Sequence, residues 1–296
     1  MRKLLLTTFS LVLIAFYSSA QVADTAFASV RYTLRHVMDT TQPENPLISK
    51  MVLQLGKNMS NYTRDNTATP GASSGNIVVS DVARTVTVNG GSITASTMPI
   101  QGATSPFATL GNYYKDMNTS KMAYMQFAGG KVFSVEENIP TINWTITQDA
   151  KEIQGLQCQK ATGDFKGRTY EAWFCSSLPY SNGPWKLGGL PGLIIEASDT
   201  KKEVVFQFVS YENITEKPPV IEIPATAVKT TPKEFKQYQD ALQRDREAGI
   251  TNNNVGGATG AVISVRGSIS AGTLTGPDGK PVKMRQMNNP IEKADK

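Results

Sequence analysis

A single histidine, His36, sets the ceiling on nucleophilic chemistry in this chain. Any Ser-His-Asp or Cys-His mechanism would have to pass through it, because the imidazole takes the nucleophile's proton. His36 follows Arg35 in an alternating stretch. A strand histidine satisfied by a sheet neighbour is the more ordinary reading. Zinc hydrolase motifs need paired histidines and are ruled out. Among the carboxylates, Glu136 and Glu137 are adjacent in a strand and face opposite ways. Glu152, Glu171 and Glu196 could meet on one sheet face in a glycosidase-like arrangement, although pairing with surface Lys or Arg is the commoner fate. Met122 and Met125, or Met284 and Met287, would be the thioether ligands of a copper site. The first pair falls on opposite strand faces and the second has no companion histidine, so core filling and loop decoration account for them. No metal or cofactor is expected.

The segment with the most unusual composition is WFCSSLPYSNGPWKLGGLPGLII, from Trp173 to Ile195. Pro191-Gly192 suits a type II turn, with Pro fixing the first φ and Gly taking the positive one. Gly183-Pro184 makes an earlier bend, which leaves Trp185 as an apolar plug between two turns. The binding alternative is that Gly188 and Gly189 let backbone approach a ligand or partner closely. Its candidate residues are Trp185, Gly188, Gly189, Leu190, Pro191 and Gly192. A phosphate cradle is disfavoured because no helix follows these glycines.

The elements that must carry these residues are mostly strands. Ser29 to Asp39 alternates apolar and polar residues, and Leu47 to Leu55 repeats the pattern. Lys121 to Phe127, Lys131 to Glu136, Ile142 to Gln148, Leu193 to Ala197 and Glu203 to Tyr211 follow. Short strands joined by short turns predict a mainly β fold, a curved antiparallel sheet or partly open barrel built as a meander. Thr231-Pro232-Lys233-Glu234 is a capping box that opens one helix. Its narrow stripe of Phe235, Tyr238 and Leu242, ended by Gly249, suits a helix lying on the sheet. Two excursions poor in large apolar residues interrupt this plan: Thr63 to Ser105, with a hairpin signal at Asn89-Gly90, and Thr251 to Lys280.

Residues 1 to 20 read as a cleavable signal peptide. Arg2 and Lys3 form the basic start, Leu4 to Tyr17 the apolar stretch, and Ser18-Ser19-Ala20 the small residues before a cut at Gln21. The apolar run is shorter than the ~20 residues of a membrane span. No later segment is apolar enough to cross a bilayer, so residues 21–296 are expected to be one β-rich domain, periplasmic or at the cell surface. The net charge of +5 is mild, and no Lys/Arg cluster interleaves with aromatics, so nucleic acid is not an expected partner. In an oxidising compartment the two cysteines, Cys158 and Cys175, are expected to pair. They flank a hairpin with arms Leu156 to Thr162 and Arg168 to Phe174 around a turn at Gly163 to Gly167. Neighbouring antiparallel strands bring Cα atoms within disulfide reach, provided the register is right. Buried free thiols are the alternative.

The hexapeptide Gly189-Leu190-Pro191-Gly192-Leu193-Ile194 resembles the signature of the GLPGLI family, exported proteins of bacteria with an outer membrane. Lys151-Glu152-Ile153, Gly155, Cys158 to Thr162, Gly167-Arg168 and Ala172-Trp173 resemble its central hairpin. Tyr32, His36, Gly56, Ser60 and Asn289-Pro290-Ile291-Glu292 resemble its flanks. The resemblance implies an envelope protein with a sheet somewhat like that of lipoprotein carriers, and it carries over no catalytic residues. The leading expectation is a non-catalytic binding or accessory module whose partner is a lipid, a peptide or an outer-membrane transport protein. An envelope hydrolase using carboxylates or His36, and a purely structural envelope component, are the alternatives.

Overall fold

The computed structural model describes residues 23–65, 84–88, 91–95, 111–247 and 287–293. The expected signal peptide, most of the first excursion and all of the second lie outside them.

Three strands open the chain: β1 (Ala23–His36), β2 (Leu47–Gly56) and β3 (Met59–Arg64). In β1 the even-numbered residues from Ala26 to His36 are buried, so its period of two places one face on the core. Strands β4 (Arg84–Val88) and β5 (Gly91–Ala95) pair on either side of Asn89-Gly90 as a separate two-stranded sheet. Next come β6 (Tyr113–Asp116), β7 (Lys121–Ala128) and β8 (Lys131–Asn138). Then follow β9 (Thr145–Ile153), β10 (Leu156–Phe165), β11 (Arg168–Cys175), β12 (Leu193–Asp199) and β13 (Val204–Asn213). Short β14 (Val220–Glu222) and β15 (Val228–Thr230) precede α1 (Pro232–Glu247).

Two-residue turns set the hairpin registers. Gly129-Gly130, Gln154-Gly155 and Lys166-Gly167 all have positive φ at both positions, the type I′ geometry whose twist matches the flanking strands. The cysteine hairpin thus turns at Lys166-Gly167, with Phe165 opposite Arg168. Counting back from that pair along β10 and β11 brings Cys158 opposite Cys175. They form a disulfide with Cα atoms 4.3 Å apart.

Thirteen strands make one open sheet, ordered β15-β8-β7-β6-β3-β2-β1-β13-β12-β11-β10-β9, with β14 also on β1. Two features depart from a simple antiparallel meander. Strand β15 runs parallel to β8, and β1 takes its second neighbour, β13, from far along the chain. Strands β12 and β13 share only two register pairs, Ala197 with Phe206 and Ser198 with Val205, so the sheet splays there. One core cluster nevertheless contains Met122 of β7 and Phe165 of β10, which stand near opposite ends of the strand order. The sheet must therefore fold back on itself across the splay.

The helix begins with the predicted capping box. The Thr231 backbone N–H donates to Glu234 (2.9 Å), and the Glu234 N–H donates to the Thr231 hydroxyl (3.3 Å). Phe235, Tyr238 and Leu242 pack on Ala128, Phe133 and Val135 at the far end of the sheet. No helix among the described residues is long and apolar enough to cross a membrane.

Candidate functional site

Most of the stretch from Asn182 to Gly192 is buried inside the folded sheet. Trp185 is 1% exposed and packs against the rings of Phe165, Tyr170 and Phe206, at centroid distances of 5.5, 6.3 and 6.3 Å. Leu187 and Leu190 are buried with it. The segment leading in bonds to β12, with the Leu193 N–H on the Leu178 carbonyl and the Ile194 N–H on that of Asn182. Tyr32 of β1 donates its hydroxyl proton to the Ile194 carbonyl at 2.8 Å. The loop fills the concavity that the bent sheet encloses.

Of the six candidate binding residues, Trp185, Leu190 and Gly192 are buried, Gly188 is half-buried, and Gly189 and Pro191 are exposed. Trp144 donates its indole N–H to the Gly188 carbonyl at 2.8 Å, so the exposed ridge has an aromatic flank. The turn at Pro191 is not type II. The Gly192 N–H bonds to the Leu190 carbonyl at 2.8 Å, a three-residue γ-turn, and Gly192 has a φ of 156°. The physical reason is close approach: a Cβ on Gly192 would lie 2.7 Å from the Cys175 carbonyl carbon. Gly189, with φ 87°, and Trp185, with φ 53°, both adopt a left-handed backbone.

Three buried cations hold this region. Lys115 of β6 is 2% exposed and donates to Asn182 Oδ1 (3.0 Å), the Gly183 carbonyl (3.2 Å) and the Leu187 carbonyl (2.6 Å). Three acceptors match the three N–H bonds of an ammonium, and all three are neutral. Burial pushes the Lys115 proton affinity down to about 7. Asn182 passes the network on, donating to the Ser60 hydroxyl at 2.8 Å. Lys186 points the other way, to Glu137 (2.6 Å) and Glu292 (2.7 Å), with Tyr124's ring 4.7 Å from its ammonium.

Arg168 is the third. Its guanidinium spends every N–H-bearing nitrogen: Nη1 on Asp199 (2.6 Å) and Glu203 (2.8 Å), Nη2 on Asn289 Oδ1 (2.7 Å) and the Pro290 carbonyl (2.8 Å), and Nε on the Ile291 carbonyl (3.1 Å). Burial alone would raise the Glu203 carboxyl, but Arg168 and Lys293 outweigh it and hold it below the usual range. His36, 3% exposed, donates from Nε2 to the Asn289 carbonyl at 2.8 Å, and its Nδ1 has no partner. Burial keeps the imidazole below its ordinary proton affinity.

The carboxylates proposed as a set do not converge. Register with β10 and β11 puts Lys151 on the face of Trp173, Glu171 and Glu196, so Glu152 points to the other face. Glu196 pairs with Lys151 at 2.7 Å, while Glu171 lies 3.5 Å from Lys160 and 3.6 Å from Lys202. Glu152 accepts from Gln157. Met122 and Met125 pack in different clusters on opposite faces; Met287 is exposed and Met284 lies outside the described residues. A shallow depression of about 300 Å³ near the end of β1 is lined by Arg35, Thr40, Pro43, Lys201, Lys202 and Glu203, among others. Lys115 was absent from the sequence-derived candidates, and its only hint was a lysine inside the aromatic strand Tyr113–Asp116.

Residues 164–196 match a family described as a protein of unknown function (Porph_ging), a window that contains Arg168, Cys175 and the whole Trp185–Ile194 loop. No curated protein matches the chain. Among solved structures, PNGF-II in a C2 crystal form aligns with a TM-score of 0.45 and 11% identity, over 71% of this chain and 32% of that one. The P21 form gives 0.46 and 12%, over 74% and 33%. The chain thus spans about a third of the PNGF-II chain it matches.

Proposed function

We propose that this chain is an exported, GLPGLI-like accessory protein of the cell envelope that binds a partner rather than catalysing a reaction. Residues 1–20 act as its signal peptide. The disulfide between Cys158 and Cys175 supports an oxidising destination. The observation that carries the reading is the filled concavity: Trp185, Leu187 and Leu190 of the chain's own loop take the space an internal lipid would need. Binding therefore moves to the outside, and the partner that suits it is a protein surface, that of an outer-membrane transport protein. The contact we favour is the ridge of Gly189 and Pro191 beside Trp144. A hydrolase would need an accessible His36 or converging carboxylates; His36 lies under the Asn289 carbonyl and the carboxylates are separately paired.

The test is a pull-down of the mature chain from solubilised envelopes, followed by mass spectrometry. A stoichiometric outer-membrane protein retained by the native chain and lost with Pro191→Asp supports the reading. Retention of nothing, together with turnover of a hydrolase substrate panel abolished by His36→Gln, would overturn it.

A further inference from the structure

The last described residues form a peptide in a built receptor site. The Asn288 side chain accepts from the Thr40 N–H at 3.0 Å. The Asn289 N–H donates to the Met38 carbonyl (3.1 Å), its carbonyl accepts from His36, and its side-chain amide donates to the Val37 carbonyl (2.6 Å) while accepting from Arg168 (2.7 Å). Pro290 and Ile291 give their carbonyls to Arg168, and the Ile291 side chain packs against the main core. Glu292 reaches Lys186, and Lys293 reaches Glu203 at 3.2 Å while its N–H donates to the Lys166 carbonyl. Backbone and side chains are both read, as in peptide recognition generally.

We propose that residues 287–293 are a separable peptide ligand, and that the socket formed by His36, Arg168 and Lys186 accepts this segment from a second copy of the chain as well as from its own. The socket is made by residues of β1, the β10–β11 turn and the start of β11, the central loop and the β12–β13 turn, all remote in sequence from the segment it holds. Its selectivity follows from the geometry. Position 289 must offer a donor and an acceptor on one short side chain; Asp would set a carboxylate oxygen against the Val37 carbonyl, and Gln would overreach. Position 290 suits Pro, because only its carbonyl is used. Position 292 needs a carboxylate to join Glu137 on Lys186. The 39 residues from 248 to 286 join the segment to α1. A chain of that length can reach roughly 130 Å when extended, several times the ~19 Å radius of gyration of a compact domain this size. Nothing in the socket's chemistry separates the chain's own tail from a neighbour's. This inference does not depend on the Gly189–Pro191 ridge.

The experiment uses the full mature chain with a protease recognition sequence inserted after residue 265, cut once folded. A fluorescent peptide with the sequence of residues 287–293 is then titrated and followed by anisotropy. The expected result is saturable binding to the cut protein, at least roughly tenfold weaker binding to the uncut one, and a similar loss for a peptide carrying Asn289→Asp. A cut protein that keeps its native near-ultraviolet spectrum yet binds no peptide overturns the proposal, whether its own tail has stayed or left. A second measurement needs no cleavage: the intact chain is refolded at low and high concentration and sized by light scattering. A dimer that grows with concentration and is missing in Asn289→Asp supports exchange between copies; monomer at every concentration overturns it.

Discussion

Replacing Lys115 by Met keeps most of the side chain's length and removes the ammonium that ties β6 to the central loop. The carbonyls of Gly183 and Leu187 lose the donor they have, and each buried orphan costs about 1–3 kcal/mol. Asn182 Oδ1 suffers less, because it also accepts from the Gly183 N–H. Against this stands the cost of burying the charge, which lowers the lysine from 10.5 to about 7. Between those two values the unfolded chain binds more protons than the folded one, so this group makes stability rise with pH. The burial cost is absent above the unfolded value and grows as pH falls toward 7. With the folded amine near half-protonation at pH 7, wild type should gain about 2 kcal/mol on moving to pH 9, and Lys115→Met should lack that gain. Urea unfolding followed by tryptophan fluorescence, with the disulfide intact, measures both proteins at both pH values. Other titrating groups are common to the pair and drop out of the difference. Parallel pH responses would refute the reasoning: they would mean that the three acceptors fully offset desolvation.

Other changes probe the remaining anchors. Trp185→Ala should cost about 3–5 kcal/mol, because the rings of Phe165, Tyr170 and Phe206 lose their shared partner; denaturant titration by circular dichroism checks it. Replacing both Cys158 and Cys175 by Ser should lower stability by about 3 kcal/mol for a 17-residue separation, read as a lowered unfolding midpoint. Burial lowers the proton affinity of His36, so the folded protein loses stability as pH falls below 6.5 toward the depressed value. His36→Gln, which keeps a donor for the Asn289 carbonyl, should flatten that acid-side loss in melts from pH 7 to 5.

Local rules made several elements legible before the structure. The alternation in β1, the Thr231–Glu234 capping box and the cysteine hairpin each depend on neighbours a few residues apart. Even there the turn sits at Lys166-Gly167 rather than across Gly163 to Gly167, because Lys adopts positive φ in the tight type I′ turn. What stayed hidden depends on distant contacts. Strands β3, β6, β14 and β15 are six residues long or fewer and exist through their partners. The γ-turn at Pro191 replaces the expected type II turn because of where the Cys175 backbone passes. The role of Lys115 is set by loop carbonyls more than sixty residues further along. Arg168 and His36 are legible only once the residue 287–293 segment is seen to close over them.

The pairing of β1 with β13, Ala28 against Asn213 through His36 against Val204, has a consequence in time. The first strand of the sheet to be synthesised waits for one of the last. At ordinary rates of synthesis the intervening chain takes on the order of ten seconds to appear. Throughout that interval one edge of β1 has its N–H and C=O groups open to any passing strand. Contacts so far apart in sequence also make folding slow even for a complete chain. A cell making this protein must therefore keep the unfinished strand edge apart from others of its kind, and dilution should raise the yield of refolding.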